Sequence, residues 1–132
     1  AVLVLDEPTA MLDPQGSQAV FEIVSQLARA GTTVVIAEHH LEWIASYADR
    51  VIALAEGSVF LDGAPEEVLS SPKLLQAGIG WLRYTRAAHL GQERWLWPAA
   101  LALPVSLGQA VKGFQKAVFN SPSQEQDHAD PG

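Results

Sequence analysis

Two short runs of aliphatic and β-branched residues, Val2 to Leu5 and Thr32 to Ala37, flank a segment of helical periodicity, and this order restricts the chain to few folds. Strand, helix and strand in succession make a parallel βαβ unit, because parallel neighbours need a crossover and a helix supplies one. The first run reads as a strand buried on both faces and stopped by Asp6-Glu7-Pro8. Asp13-Pro14 then offers an N-cap followed by proline at the first helical position. Ala19, Val20, Ile23, Val24, Leu27 and Ala28 recur at helical spacing until Gly31 breaks the pattern. The predicted fold class is α/β.

Downstream the elements shorten. A helix is expected through Leu41 to Ala48, a strand at Val51 to Leu54, and a further strand at Ser58 to Leu61 joined to it as a hairpin by Glu56-Gly57. Pro65-Glu66-Glu67 opens a short helix with its acids in the first turn, where the helix dipole favours them. Helical patterns follow near Pro72 to Ala77, Trp81 to Leu90 and Ser106 to Phe119. The final thirteen residues, 120–132, hold three acids, no Lys or Arg and no large apolar side chain, the composition of a disordered acidic tail. The strands at Val2 to Leu5, Thr33 to Ile36 and Val51 to Leu54 are expected to form one parallel sheet, which would bring Asp6, Glu7 and His39 to its carboxyl edge.

Composition narrows the function. With 132 residues, 48% of them hydrophobic, the chain is long enough to bury a core without staples. Zero cysteines exclude a disulfide framework, a thiolate metal site and a cysteine nucleophile. Fifteen acidic against eight basic side chains, a formal charge of -7, disfavour a nucleic-acid-coating role, since phosphate affinity comes mainly from clustered Lys and Arg. The longest apolar stretch, Trp95 to Leu107, is thirteen residues broken by Pro98 and Pro104, short of the roughly 20 a membrane-crossing helix needs. No basic leader precedes Ala1, and the chain reads as one that starts inside a longer protein. The tryptophans at 81, 95 and 97 are expected to pack in a core or at a subunit interface.

An apolar strand ending in two adjacent carboxylates suits a hydrated Mg²⁺ at a phosphate site, one acid near the metal and its neighbour free to orient water. Taken alone, Asp6-Glu7 fits a solvated turn equally well. Asp13 fits a plain helix N-cap, and His39 fits a partly buried structural histidine.

The surrounding residues add a resemblance. Leu3-Val4-Leu5-Asp6-Glu7-Pro8-Thr9-Ala10 followed by Met11-Leu12-Asp13-Pro14 resembles the Walker B segment and D-loop of ATP-binding cassette (ABC) ATPases, and Ala37-Glu38-His39 resembles their switch-histidine segment. Tyr47 to Leu54, Glu56-Gly57, Asp62-Gly63 and Pro65 to Leu69 follow in the order usual in transporter ATPases, so the resemblance covers residues 1 to about 70. It implies a partial P-loop NTPase-like domain over 1–70, a helical accessory or linker region over 71–119 and the acidic tail over 120–132. By the same resemblance, Asp6 would sit in the outer coordination sphere of the Mg²⁺ bridging the β- and γ-phosphates of ATP, Glu7 would polarise the attacking water, and His39 would contact the γ-phosphate. Asp13 would lie in the segment that couples two nucleotide sites across a dimer interface. His40 departs from the pattern, standing where an Asp is common, and Leu41 after it favours His39 as the switch.

Ala37 to Glu42 with Asp49-Arg50-Val51 look most like ATPases of energy-coupling factor importers and the related cobalt or nickel importers. The partners implied are a second ABC ATPase domain and an integral membrane transporter subunit, with no nucleic acid, and the implied location is cytoplasmic, peripheral on the inner face of the cell membrane. No glycine-rich loop ending in Gly-Lys-Ser or Gly-Lys-Thr and no Leu-Ser-Gly-Gly-Gln segment occurs in the sequence. The chain is therefore expected to be the C-terminal portion of a cassette, inactive alone. A soluble ABC-type ATPase of DNA repair or chromosome maintenance, and a non-enzymatic remnant that only binds partners, are the competing readings; the acidic charge and the pattern over Ala48 to Leu69 favour the transporter.

Overall fold

The computed structural model describes residues 1–119; the acidic tail expected over 120–132 lies outside them. Strand β1 (Val2–Asp6) leads through a turn into α1 (Pro14–Arg29), and β2 (Thr33–Ala37) returns parallel to β1, so the predicted βαβ unit forms. Its register pairs Val2 with Thr33, Val4 with Val35 and Asp6 with Ala37, which brings both strands to an end at one edge. Helix α1 starts as the sequence predicts: the Asp13 carboxylate accepts from the Gly16 amide at 2.7 Å, and Pro14 occupies the first turn, where its missing amide costs nothing.

Helix α2 (Leu41–Tyr47) packs under α1, with Phe21 stacked on Trp43 and on Tyr47 at centroid distances of 5.2 Å. This aromatic contact selects the buried face of α1. Ser17, Phe21 and Val24 are inside, while Ile23 and Leu27, which belong to the periodic apolar set, face out. A helix apolar on more than one face takes its orientation from whichever neighbour offers the larger contact.

Strand β3 (Val51–Ala55) departs from expectation. It does not join β1 and β2 in one parallel sheet; it pairs antiparallel with β4 (Ser58–Gly63) in a second two-stranded sheet. The predicted hairpin accounts for this. Glu56 and Gly57 both lie in the left-handed region, at φ 50° and 75°, the backbone of a two-residue turn whose twist matches the strands. Closing so short a loop costs about 1–2 kcal/mol less chain entropy than pairing β3 with β2 across α2. Arg50 and Asp62 clasp the open end of the hairpin with a bidentate pair at 2.7 and 2.6 Å.

The short helix α3 (Pro65–Leu69) lies against this hairpin, followed by α4 (Lys73–Gln76), α5 (Arg83–Glu93) and α6 (Leu107–Phe119). The main core gathers Val51, Ala53, Val68, Leu69, Leu74, Leu82 and Val105. Beside it, the buried Trp97 fills a gap left by two glycines, its ring against Gly113, its Cβ near Gly91 and its edge toward Phe114 at a centroid distance of 5.0 Å. Trp81 is partly buried, and its indole nitrogen donates to the Ser71 carbonyl at 2.9 Å. Trp95 is 89% exposed and lies outside the core, so the three tryptophans form no single cluster.

The β1–β2 sheet is covered on one face only. Leu3, Leu5, Val34 and Ile36 are half-buried, whereas Val2, Val4 and Val35 stand in solvent at 70%, 69% and 52% exposure. This corrects the reading of β1 as a strand buried on both faces: its composition suits a sheet with two covering layers, and the described residues supply one.

Candidate functional site

The paired strands end together at Asp6 and Ala37, and the ladder runs one bond further, Glu7 N–H donating to the Ala37 carbonyl at 2.9 Å. Glu7 has a φ of 41°, a conformation a side-chain-bearing residue adopts at a cost of about 1 kcal/mol or more. Pro8 after it disfavours the right-handed helical alternative. This bend lets two carboxylates that would otherwise alternate across the strand reach one edge. Asp6 is exposed, and the Glu7 side chain is about half exposed.

Opposite lies the turn after β2. Glu38 bends its carboxylate back so that Oε1 accepts from the His39 amide at 2.8 Å, from the His40 amide at 3.0 Å and from His40 Nδ1 at 2.7 Å. Oε2 accepts from the hydroxyl of Thr9, a buried residue of the β1–α1 turn, at 3.1 Å. Burial works to raise the Glu38 pKa, but the hydrogen bonds from His40, His39 and Thr9 together outweigh it and hold the carboxyl below its ordinary value. This ionised group, its side chain 3% exposed, ties the two loops together. His39 Nδ1 then lies 3.3 Å from Glu7 Oε1, and the rings of His39 and His40 are 4.1 Å apart.

The structure thus brings Glu7 and His39 into contact, with Asp6 beside them. Asp13 sits apart at the start of α1, its carboxylate engaged as the cap. Sequence reasoning passed over Thr9 and Glu38. The signal for Glu38 is an acid directly after an apolar strand, followed by two amides and an imidazole able to donate.

A βαβ unit whose carboxyl edge carries paired acids on one strand and a histidine turn on the next is the arrangement of an ABC-type ATPase domain, and solved structures of that class match it. A nucleotide-free ATP-binding cassette from an ABC transporter superposes with a TM-score of 0.55 at 30% identity, over 60% of this chain and 33% of its own. CbiO1 from Clostridium perfringens, part of the ABC transporter complex CbiONQ, matches with a TM-score of 0.50 at 36% identity, over 69% of this chain and 36% of its own.

The homologues are ABC transporter ATP-binding proteins of the energy-coupling factor type. The ATP-binding protein EcfA2 of Symbiobacterium thermophilum is 45% identical over 80 residues, 60% of this chain and 28% of its own length. EcfA2 of Lacticaseibacillus paracasei is 41% identical over 93 residues, 70% of this chain and 32% of its own length. The chain therefore spans about a third of the curated relatives it matches. No protein-family model matches it.

Proposed function

We propose that this chain supplies the water-activating and phosphate-sensing edge of an ATP-hydrolysing subunit in an energy-coupling factor importer. The observation that carries this reading is the 3.3 Å approach of His39 Nδ1 to Glu7 Oε1 at the common carboxyl edge of two parallel strands. Exposed carboxylate oxygens at that edge fit Mg²⁺, a hard cation that prefers oxygen ligands and keeps several waters, and Asp6 is the residue that would hold it. When bound with ATP, the ion neutralises charge on the β- and γ-phosphates.

Glu7 acts as the base. Its carboxylate accepts a hydrogen bond from the water that attacks the γ-phosphorus, raising the water's nucleophilicity at the moment the new bond forms. His39, placed beside it by the Glu38 turn, donates to a γ-phosphate oxygen and so couples the presence of that phosphate to the position of Glu7. Asp13 belongs to the segment facing a second ATPase domain, keeping its capping role there. A membrane subunit is the further partner, placing the protein on the cytoplasmic face of the membrane, and the cargo class is a vitamin or a cobalt or nickel ion. Among the described residues no helix is long and apolar enough to cross a membrane. By itself the chain should not turn over ATP, because metal- and water-holding residues without a phosphate cradle supply too little binding energy to position the γ-phosphate.

The decisive experiment places Glu7→Gln in a complete cassette carrying this segment. The amide keeps the shape but accepts a proton poorly, so nucleotide affinity should stay within a few-fold while hydrolysis drops by about 10² or more. Hydrolysis that survives the substitution would remove Glu7 as the base and with it this reading.

A further inference from the structure

We propose that Glu38, His39 and His40 form a binding site for a borderline transition cation of the zinc, nickel and cobalt class, separate in chemistry from a magnesium site on Asp6. Two imidazoles and one carboxylate converge here in the turn after β2. The ligand atoms of Glu38, His39 and His40 all lie within 4.8 Å of one another, and Glu7 Oε1 lies outside this group, 3.3 Å from His39 Nδ1. Imidazole nitrogen combined with carboxylate oxygen is the donor set that zinc, nickel and cobalt select, whereas Mg²⁺ takes oxygens and water.

The spacing agrees with that chemistry. Bonds of about 2.0–2.1 Å around a tetrahedral ion put neighbouring ligand atoms about 3.3 Å apart. His39 Nδ1 stands 3.6 Å and His40 Nδ1 2.7 Å from Glu38 Oε1, so an ion can reach all three atoms with small side-chain adjustments. His40 brings the second imidazole within 4.1 Å of the first, centre to centre. Supporting contacts are also built in: the Thr9 hydroxyl and the amides of His39 and His40 hold the Glu38 carboxylate in place. Groups of this kind orient metal ligands and typically change affinity 10–100-fold when lost.

Entry is open on the imidazole side, since His39 and His40 have side chains 60% and 47% exposed, while the Glu38 carboxylate forms the floor at 3%. His40 sets this edge apart, because an Asp there would leave a single imidazole. If His39 acts as proposed in ATP hydrolysis, an ion held here would occupy it and block turnover; this consequence rests on that reading, but the binding site does not.

The test needs no nucleotide. Cobalt(II) titrated into the purified 132-residue chain should give a visible d–d band that saturates at one ion per chain and is abolished by Zn²⁺ but not by millimolar Mg²⁺. His39→Ala and His40→Ala should each weaken binding about tenfold or more, with His40→Gln as a milder replacement that keeps a polar side chain in the turn. His89→Ala, which removes a ring lying against Trp81, should leave the titration unchanged. An unchanged titration in the His39 and His40 variants, equal competition by Mg²⁺, or no band at all would each overturn the site. Since hydrolysis is not measured, failure here leaves the Glu7→Gln result standing on its own.

Discussion

His39 Nδ1 lies 3.3 Å from Glu7 Oε1 although the two residues follow different strands and are separated by the whole of α1. Two features produce the contact. The parallel register ends both strands at the Asp6–Ala37 pair, and the left-handed backbone at Glu7 turns its side chain toward the neighbouring loop.

That geometry separates the two adjacent histidines. In a complete cassette carrying this segment, His39→Ala should lower ATP turnover by about tenfold to a hundredfold, the scale of a lost charge-assisted contact to phosphate. His40→Ala should cost less, because the His40 ring is held by Glu38 rather than facing Glu7. Steady-state hydrolysis measured for both variants decides the assignment; a silent His39→Ala beside a crippling His40→Ala would move the phosphate contact one residue along.

Glu38 should make the fold acid-sensitive. Its folded pKa lies below the ordinary 4.5, so at intermediate acidity the unfolded chain binds the extra proton. The stabilisation from its ionised form is complete above that ordinary value and is lost as pH falls through the lower folded value. Glu38→Gln should therefore melt below wild type at neutral pH, with the gap closing in acid. Thermal melts of both proteins from neutral pH down to about pH 3 test this, and a gap that persists in acid would mean the charge is not the cause.

Gly113 has no room for a side chain. A Cβ built there would fall inside the contact distance of the Trp97 ring, a rigid group already wedged beside Gly91 and Phe114. Gly113→Ala should lose about 1–3 kcal/mol to overpacking despite alanine's better helix propensity. Denaturant unfolding reads the difference. Gly108, with open space around it in the same helix, is the control that should gain stability on the same substitution.

The bare face of the β1–β2 sheet should promote self-association. Val4 and Val35 face each other across the parallel pair and both stand in solvent. Replacing them together, Val4→Lys with Val35→Glu, puts opposite charges side by side and should reduce concentration-dependent association in sedimentation without lowering the melting temperature by more than a few degrees. Association that persists in the double variant would place the sticky surface elsewhere.

The residues of the first half determined its elements by local rules. β-branched runs made β1 and β2, Asp13 with Pro14 began α1, and Glu56-Gly57 closed the hairpin, because each signal acts over a few neighbouring residues. The pair Glu7 and His39 was legible for the same reason: both follow short apolar strands, and a βαβ unit places such ends together. Three things were decided only in the assembled fold. β3 paired with its hairpin partner instead of β2; α1 turned Phe21 rather than Ile23 inward; and Glu38 reached Thr9 across 29 positions of sequence. Each is a choice among near-equal local options, settled by which long-range contact buries more surface or satisfies more hydrogen bonds, and that competition is not written in any short stretch of sequence.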